Sequence, residues 1–139
     1  MVNVDDLLQG VLDWAQVTVP MNPSTWQFYK EIMDYDIKDA QQLTVLHEGG
    51  RSSGRSAVDE LDFSIVVVHP RYGSALDAAF SLYTKLHNLW DVLSSHATLY
   101  GYNGFWLLQP PRRVVLTDPA LQGTNMYLVE AKTWAETRG

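Results

Sequence analysis

Leu61-Asp62-Phe63-Ser64-Ile65-Val66-Val67-Val68-His69-Pro70 is the stretch on which the fold turns. Leu61, Phe63, Ile65 and Val67 alternate with Asp62, Ser64, Val66 and Val68, and side chains two residues apart share one face of a strand. Pro70 ends the run, because it has no amide hydrogen to give to a ladder. One face of this strand is core. The other face, through Val66 and Val68, is apolar enough to meet a partner.

Upstream, Leu43, Val45 and Leu46 predict a strand from Leu43 to Glu48 that stops at Gly49-Gly50, and residues 51–58 then read as a polar loop. Further back, Val4, Leu7, Leu8, Val11, Leu12 and Ala15 recur at helical spacing after Asn3, which with Asp6 makes an N-terminal cap. The spacing predicts a helix over 4–17. Pro20 and Pro23 break it, and residues 24–36 suit a short helix or a strand equally well.

Downstream, Ser74 and Asp77 form a second capping pair before Leu76, Ala79, Phe80, Tyr83, Leu86, Trp90 and Leu93, predicting a second long helix. Asn103-Gly104 reads as a hairpin turn between residues 99–100 and 105–108. Val114 to Leu116 is extended, and Met126 to Trp134 alternates as a last strand. Runs of strands separated by single helices predict an α+β fold, a mainly antiparallel sheet with two principal helices packed on one face. The predicted core is Val4, Leu8, Leu12, Leu61, Phe63, Ile65, Val67, Leu76, Phe80, Tyr83, Val129 and Ala131.

The 139 residues suit one domain over 1–139, and the absence of cysteine removes thiol catalysis, disulfides and cysteine-ligated zinc. A net charge of −6 disfavours sequence-specific nucleic-acid binding, which relies on clustered Lys and Arg. No apolar run reaches the length of a membrane span, and the opening residues Asn3, Asp5 and Asp6 do not resemble a secretory signal.

Catalytic constellations are weak throughout. Gly49 to Ser56 approaches the phosphate-binding pattern G-x-x-x-x-G-K-[ST], but Arg55 stands where lysine is required, and the chain runs on into a strand where a helix is needed. His47, His69, His87 and His96 lack helical metal-site spacing, and only convergence of His47 and His69 on paired strands would begin a site. No G-x-S-x-G elbow is present. Asp34, Asp36 and Asp39, and the trio Asp59, Glu60 and Asp62, flank turns where solvated acids are usual. The pair Arg112-Arg113 reads as a solvated basic turn. No cofactor, metal or enzymatic activity is expected.

An N-terminal amphipathic helix, a strand ending in Glu48-Gly49-Gly50, the strand Phe63 to Val68 and the helix with Ala78-Ala79-Phe80-Ser81-Leu82-Tyr83-Thr84-Lys85-Leu86-His87-Asn88-Leu89 come in order. An aromatic strand at Phe105-Trp106, a proline-containing segment, Asp118 and a final strand at Met126 to Trp134 follow. In this pattern the chain resembles the tail terminator proteins of long-tailed bacteriophages, also called phage minor capsid proteins. The resemblance implies a virion protein of the tail or neck, assembled in the host cytoplasm. It would form a homohexameric ring that stops tail tube growth and joins tail to head. The implied partners are other copies, the tail tube protein and a neck or head-completion protein, with DNA passing through the ring. The alternatives are a stopper protein of the neck or a small ligand-binding α+β domain.

For a ring, the polar loop with Arg51 and Arg55 is the candidate subunit contact, facing Asp59, Glu60 or Asp62 of the next copy. Val66 and Val68 on the outer strand face complete the candidate interface.

Overall fold

The computed structural model describes residues 4–18, 26–31, 40–52, 58–87, 102–107 and 109–136. Helix α1 spans Val4–Thr18 and helix α2 spans Tyr72–His87. Six strands form one sheet: β1 Gln27–Lys30, β2 Gln42–Ser52, β3 Val58–His69, β4 Tyr102–Leu107, β5 Arg112–Val114 and β6 Asn125–Glu136. The order is β1-β2-β3-β6-β4, and β5 also pairs with β6. Only β1 runs parallel to its neighbour. The fold is the α+β arrangement expected.

Both helices cover the same face of the sheet, α1 over β1 and β2 and α2 over β3, β6 and β4. The alternating residues Leu61, Phe63, Ile65 and Val67 of β3 meet Tyr127, Val129 and Ala131 of β6 in the main core. From above, α1 adds Leu8, Val11, Leu12, Trp14 and Ala15. This face closes as the strand periodicity predicts.

Helix α2 is rotated from the expected orientation. Its buried stripe is Ala75, Ala78, Ala79, Leu82 and Leu86, whereas Leu76 and Tyr83 are half-buried and Phe80 is 42% exposed. Two apolar stripes run along this helix. Alanines let the helix axis approach the sheet closely, so the small stripe packs inward; of the bulky one Leu76 still touches the core, and Phe80 turns toward solvent, where it meets Tyr83 edge-on. The helix also begins before Ser74, so Ser74 and Asp77 lie within it and do not cap it. Val4 keeps its helical position, and Trp90 and Leu93 lie outside the described residues.

The segment left open at residues 24–36 contains a strand, β1. Gly49-Gly50 does not end β2: the strand runs on to Ser52 through a bulge between His47 and Gly49. Both glycines have positive φ, 114° and 148°, and a Cβ on Gly50 would overlap the backbone carbonyl of Glu60. Glycine is needed there for backbone conformation and for close approach. Asn103-Gly104 is likewise inside a strand, at a register shift of β4 against β6, and makes no hairpin turn.

Candidate subunit interface

The opposite sheet face divides into two zones. At one end, Val66 and Val68 are buried beneath Leu116 and Leu121, with Ala40, Leu46, Met126 and Leu128 around them. The covering segment is held by a 3-10 turn at Pro119–Leu121, where Asp118 accepts a hydrogen bond from the Ala120 amide at 2.9 Å. Asn125 donates to the carbonyls of His69, Pro70 and Gly123, tying the start of β6 to the end of β3. Val66 and Val68 were expected to be exposed. They are instead 4% and 1% exposed, because the chain's own loop after β5 folds over them.

The other end of this face is polar. Glu60 pairs with Lys132 at 3.1 Å, and Ser64 donates to the bulged Glu48 at 2.6 Å. Glu130 accepts from Gln109 at 2.8 Å and from Arg112 at 2.9 and 3.2 Å. Arg112 thus bridges β5 to β6 from a strand rather than a turn, with its side chain still exposed. One carboxylate oxygen of Asp62 is buried without a hydrogen-bond partner among the described residues.

Arg51 stands opposite Glu60 in the β2–β3 ladder and Ser52 opposite Asp59, so Arg51 and these acids share one pair of strands. A head-to-tail contact needs them on different surfaces. Glu60 is also only 7% exposed and engaged with Lys132. The hairpin by itself therefore supplies no two-sided contact through Glu60. Arg55 lies outside the described residues, as do Asp34, Asp36 and Asp39.

His47 and His69 do not converge. His47 pairs with Phe63, six positions along β3 from His69, which places them about 20 Å apart. His69 is buried against Trp26, with ring centroids 5.2 Å apart, and its Nδ1 accepts the Arg71 amide hydrogen at 2.9 Å. Burial, and then the Arg71 charge, hold its pKa below the usual histidine value. This imidazole is spent on structure.

Two charged edges were missed from the sequence. Across the helix-covered side at the β1 edge, Lys30 bonds Asp5 of α1 at 2.8 Å and Gln9 at 3.2 Å. Its pKa is raised, first by the Asp5 hydrogen bond and then by the charges of Asp5, Glu31 and Asp13. At the other edge, the Arg113 guanidinium lies 5.9 Å from the centre of the Tyr72 ring, which in turn stands 6.5 Å from Tyr127. The Arg112-Arg113 pair was the only sequence signal for this second cluster. The acid edge had none, because Asp5, Lys30 and Glu31 meet only through the parallel pairing of β1.

Among the described residues no helix is long and apolar enough to cross a membrane. No protein-family model matches the chain, and no curated protein does. Among solved structures, the fold is similar to that of a chain in the virion of a native gene transfer agent particle. The TM-score is 0.51 with 18% identity, over 78% of each chain. At that identity the likeness is one of fold.

Proposed function

We propose that this chain is a structural protein of a phage-like virion, and within that class a tail terminator. The ring it forms stops growth of the tail tube and joins the tail to the head. The observation that carries this is the shared fold with a virion chain over 78% of both chains. The ordered pattern of helix, Glu48-Gly49-Gly50 strand, long helix and final alternating strand supports the finer reading. Among the described residues His47 and His69 are separated, and Glu60, Glu130 and Glu48 engage Lys132, Arg112 and Ser64.

The subunits would assemble head to tail, with six copies as the resemblance implies, and would contact the tube protein below and a neck protein above. The reading takes the hairpin with Arg51 and Arg55 as one contact between copies. Light scattering of the Arg51→Glu, Arg55→Glu double variant, with circular dichroism for folding, tests that part. Unchanged assembly removes the hairpin from the interface.

Electron microscopy of the purified protein, alone and mixed with tube subunits, tests the function. Rings of uniform diameter, and tubes of fixed length capped at one end, are expected. A protein that stays monomeric and leaves tube growth unaltered overturns the reading.

A further inference from the structure

The sheet carries opposite charge at its two edges, and the edges lie level with one another. Gln27 of β1 pairs with Gln42, Gln42 with Val68, Val68 with Met126 and Met126 with Val114 of β5. One row of residues thus crosses five strands, with β1 and β5 at its ends about 19 Å apart. At the β1 end the charges of Asp5, Asp13 and Glu31 act on Lys30, the cation of this cluster among the described residues. Asp5 and Glu31 are exposed. At the β5 end Arg113 is exposed, Arg71 is exposed next in the chain to Tyr72 after the end of β3, and Arg112 is already paired with Glu130. No acid stands in the first turn of α2 to offset them.

Independent of charge, the β5 end is also where apolar surface is left uncovered. Tyr72 is 53% exposed and Val115 78%, two of the three large apolar side chains so exposed among the described residues, and both stand near Arg113. Exposed tyrosine stacked with arginine is the pairing enriched at the centres of protein interfaces. A cation over an aromatic face also keeps the guanidinium directed outward at low entropic cost.

We infer that the β5 edge of one copy, through Arg71, Tyr72 and Arg113, docks on the β1 edge of the next, through Asp5, Asp13 and Glu31. The occupant is a second copy because the complementary charge is present on this same chain, at the opposite edge of the same sheet. The contact is heterologous, since each copy offers one edge of each kind, which is the kind of contact a ring is built from. A chain of net charge −6 needs such local complementarity to bring copies together against their mutual repulsion. The inference rests on the ring reading above and adds to it a contact at the sheet edges, separate from the hairpin.

The test reverses each edge separately, as Arg71→Glu, Arg113→Glu and as Asp5→Lys, Glu31→Lys, with assembly followed by light scattering and electron microscopy. These side chains are exposed, so circular dichroism should be unchanged. Each double variant alone should need about tenfold or more protein to assemble. An equimolar mixture of the two should assemble again, into rings of even number, because every contact is then between an acidic and a basic edge. If the parent assembles and both reversed variants assemble equally well, or if the mixture does not recover, the contact lies elsewhere while the ring reading stands. A parent that never assembles, even with tube subunits, overturns both.

Discussion

The two faces of the central sheet are closed by different means. On the helix side, Phe63, Ile65 and Val67 are buried by two regular elements whose own apolar stripes were laid out by helical spacing. On the other side, Val66 and Val68 are buried by an irregular segment, Leu116 to Leu121, that shows no periodicity at all. Strand alternation announces the first kind of burial. A run such as Val66-Val67-Val68 says only that both faces are apolar, and whether a loop or a second molecule covers the outer one is decided by tertiary folding.

The sharpest way to separate the faces is Phe63→Ala, which removes a ring that is 1% exposed at the centre of the helix side. The expected loss is about 3–5 kcal/mol in chemical denaturation. Phe80→Ala, on the outward stripe of α2, should cost under about 1 kcal/mol. Equal losses at the two positions would mean that α2 packs by its bulky stripe after all.

Next in size is Gly50→Ala. The new methyl would overlap the Glu60 carbonyl and sit on a backbone with φ of 148°, so a loss of about 1–3 kcal/mol is expected. Gly49→Ala, with open space around it, should suffer only from its φ. If Gly50→Ala is as stable as the parent, β2 does not bulge here and Gly49-Gly50 is a loop.

Val68→Ala measures the outer face. Loss of two carbons from a site 1% exposed should cost about 2 kcal/mol, whereas an exposed valine would lose under about 0.5 kcal/mol. A small loss in the free subunit, joined to failed assembly, would return Val68 to an intersubunit role.

Much of this architecture was legible because local pattern and tertiary packing agree at β3, β6 and α1. Phe63, Val129 and Leu8 are buried on the faces their spacing marks. Where two patterns compete, spacing does not decide: on α2, Leu76-Phe80-Tyr83 and Ala75-Ala79-Leu82 are both helical stripes, and close approach selects the smaller. Turn chemistry misleads where glycine serves a strand irregularity, as at Gly50 and at Asn103-Gly104. The acidic edge was not legible, and the basic one showed only as the pair Arg112-Arg113. Asp5 and Lys30 are far apart in sequence and meet only when β1 lies alongside β2.

The smallest expected effect lies where the two faces meet at the end of β3, and it is a pH dependence. His69 is 6% exposed, rests against Trp26, and uses its Nδ1 lone pair to accept the Arg71 amide hydrogen, the position an added proton would occupy. Burial, followed by the Arg71 charge, depresses its pKa below the value near 6.5 that it has in the unfolded chain. Above that pH both states hold the ring neutral, and the stability that His69 contributes is fully present. As pH falls below about 6.5 the unfolded chain takes up a proton that the folded one refuses, so stability declines until the folded pKa is passed. Glutamine can still accept the Arg71 amide but does not titrate. Urea denaturation of the parent at pH 7.5 and pH 5.5 should therefore show a larger drop in stability than the same pair of measurements on His69→Gln. Equal drops would mean that His69 protonates as readily folded as unfolded, and that the end of β3 is open to water between the two layers that cover it.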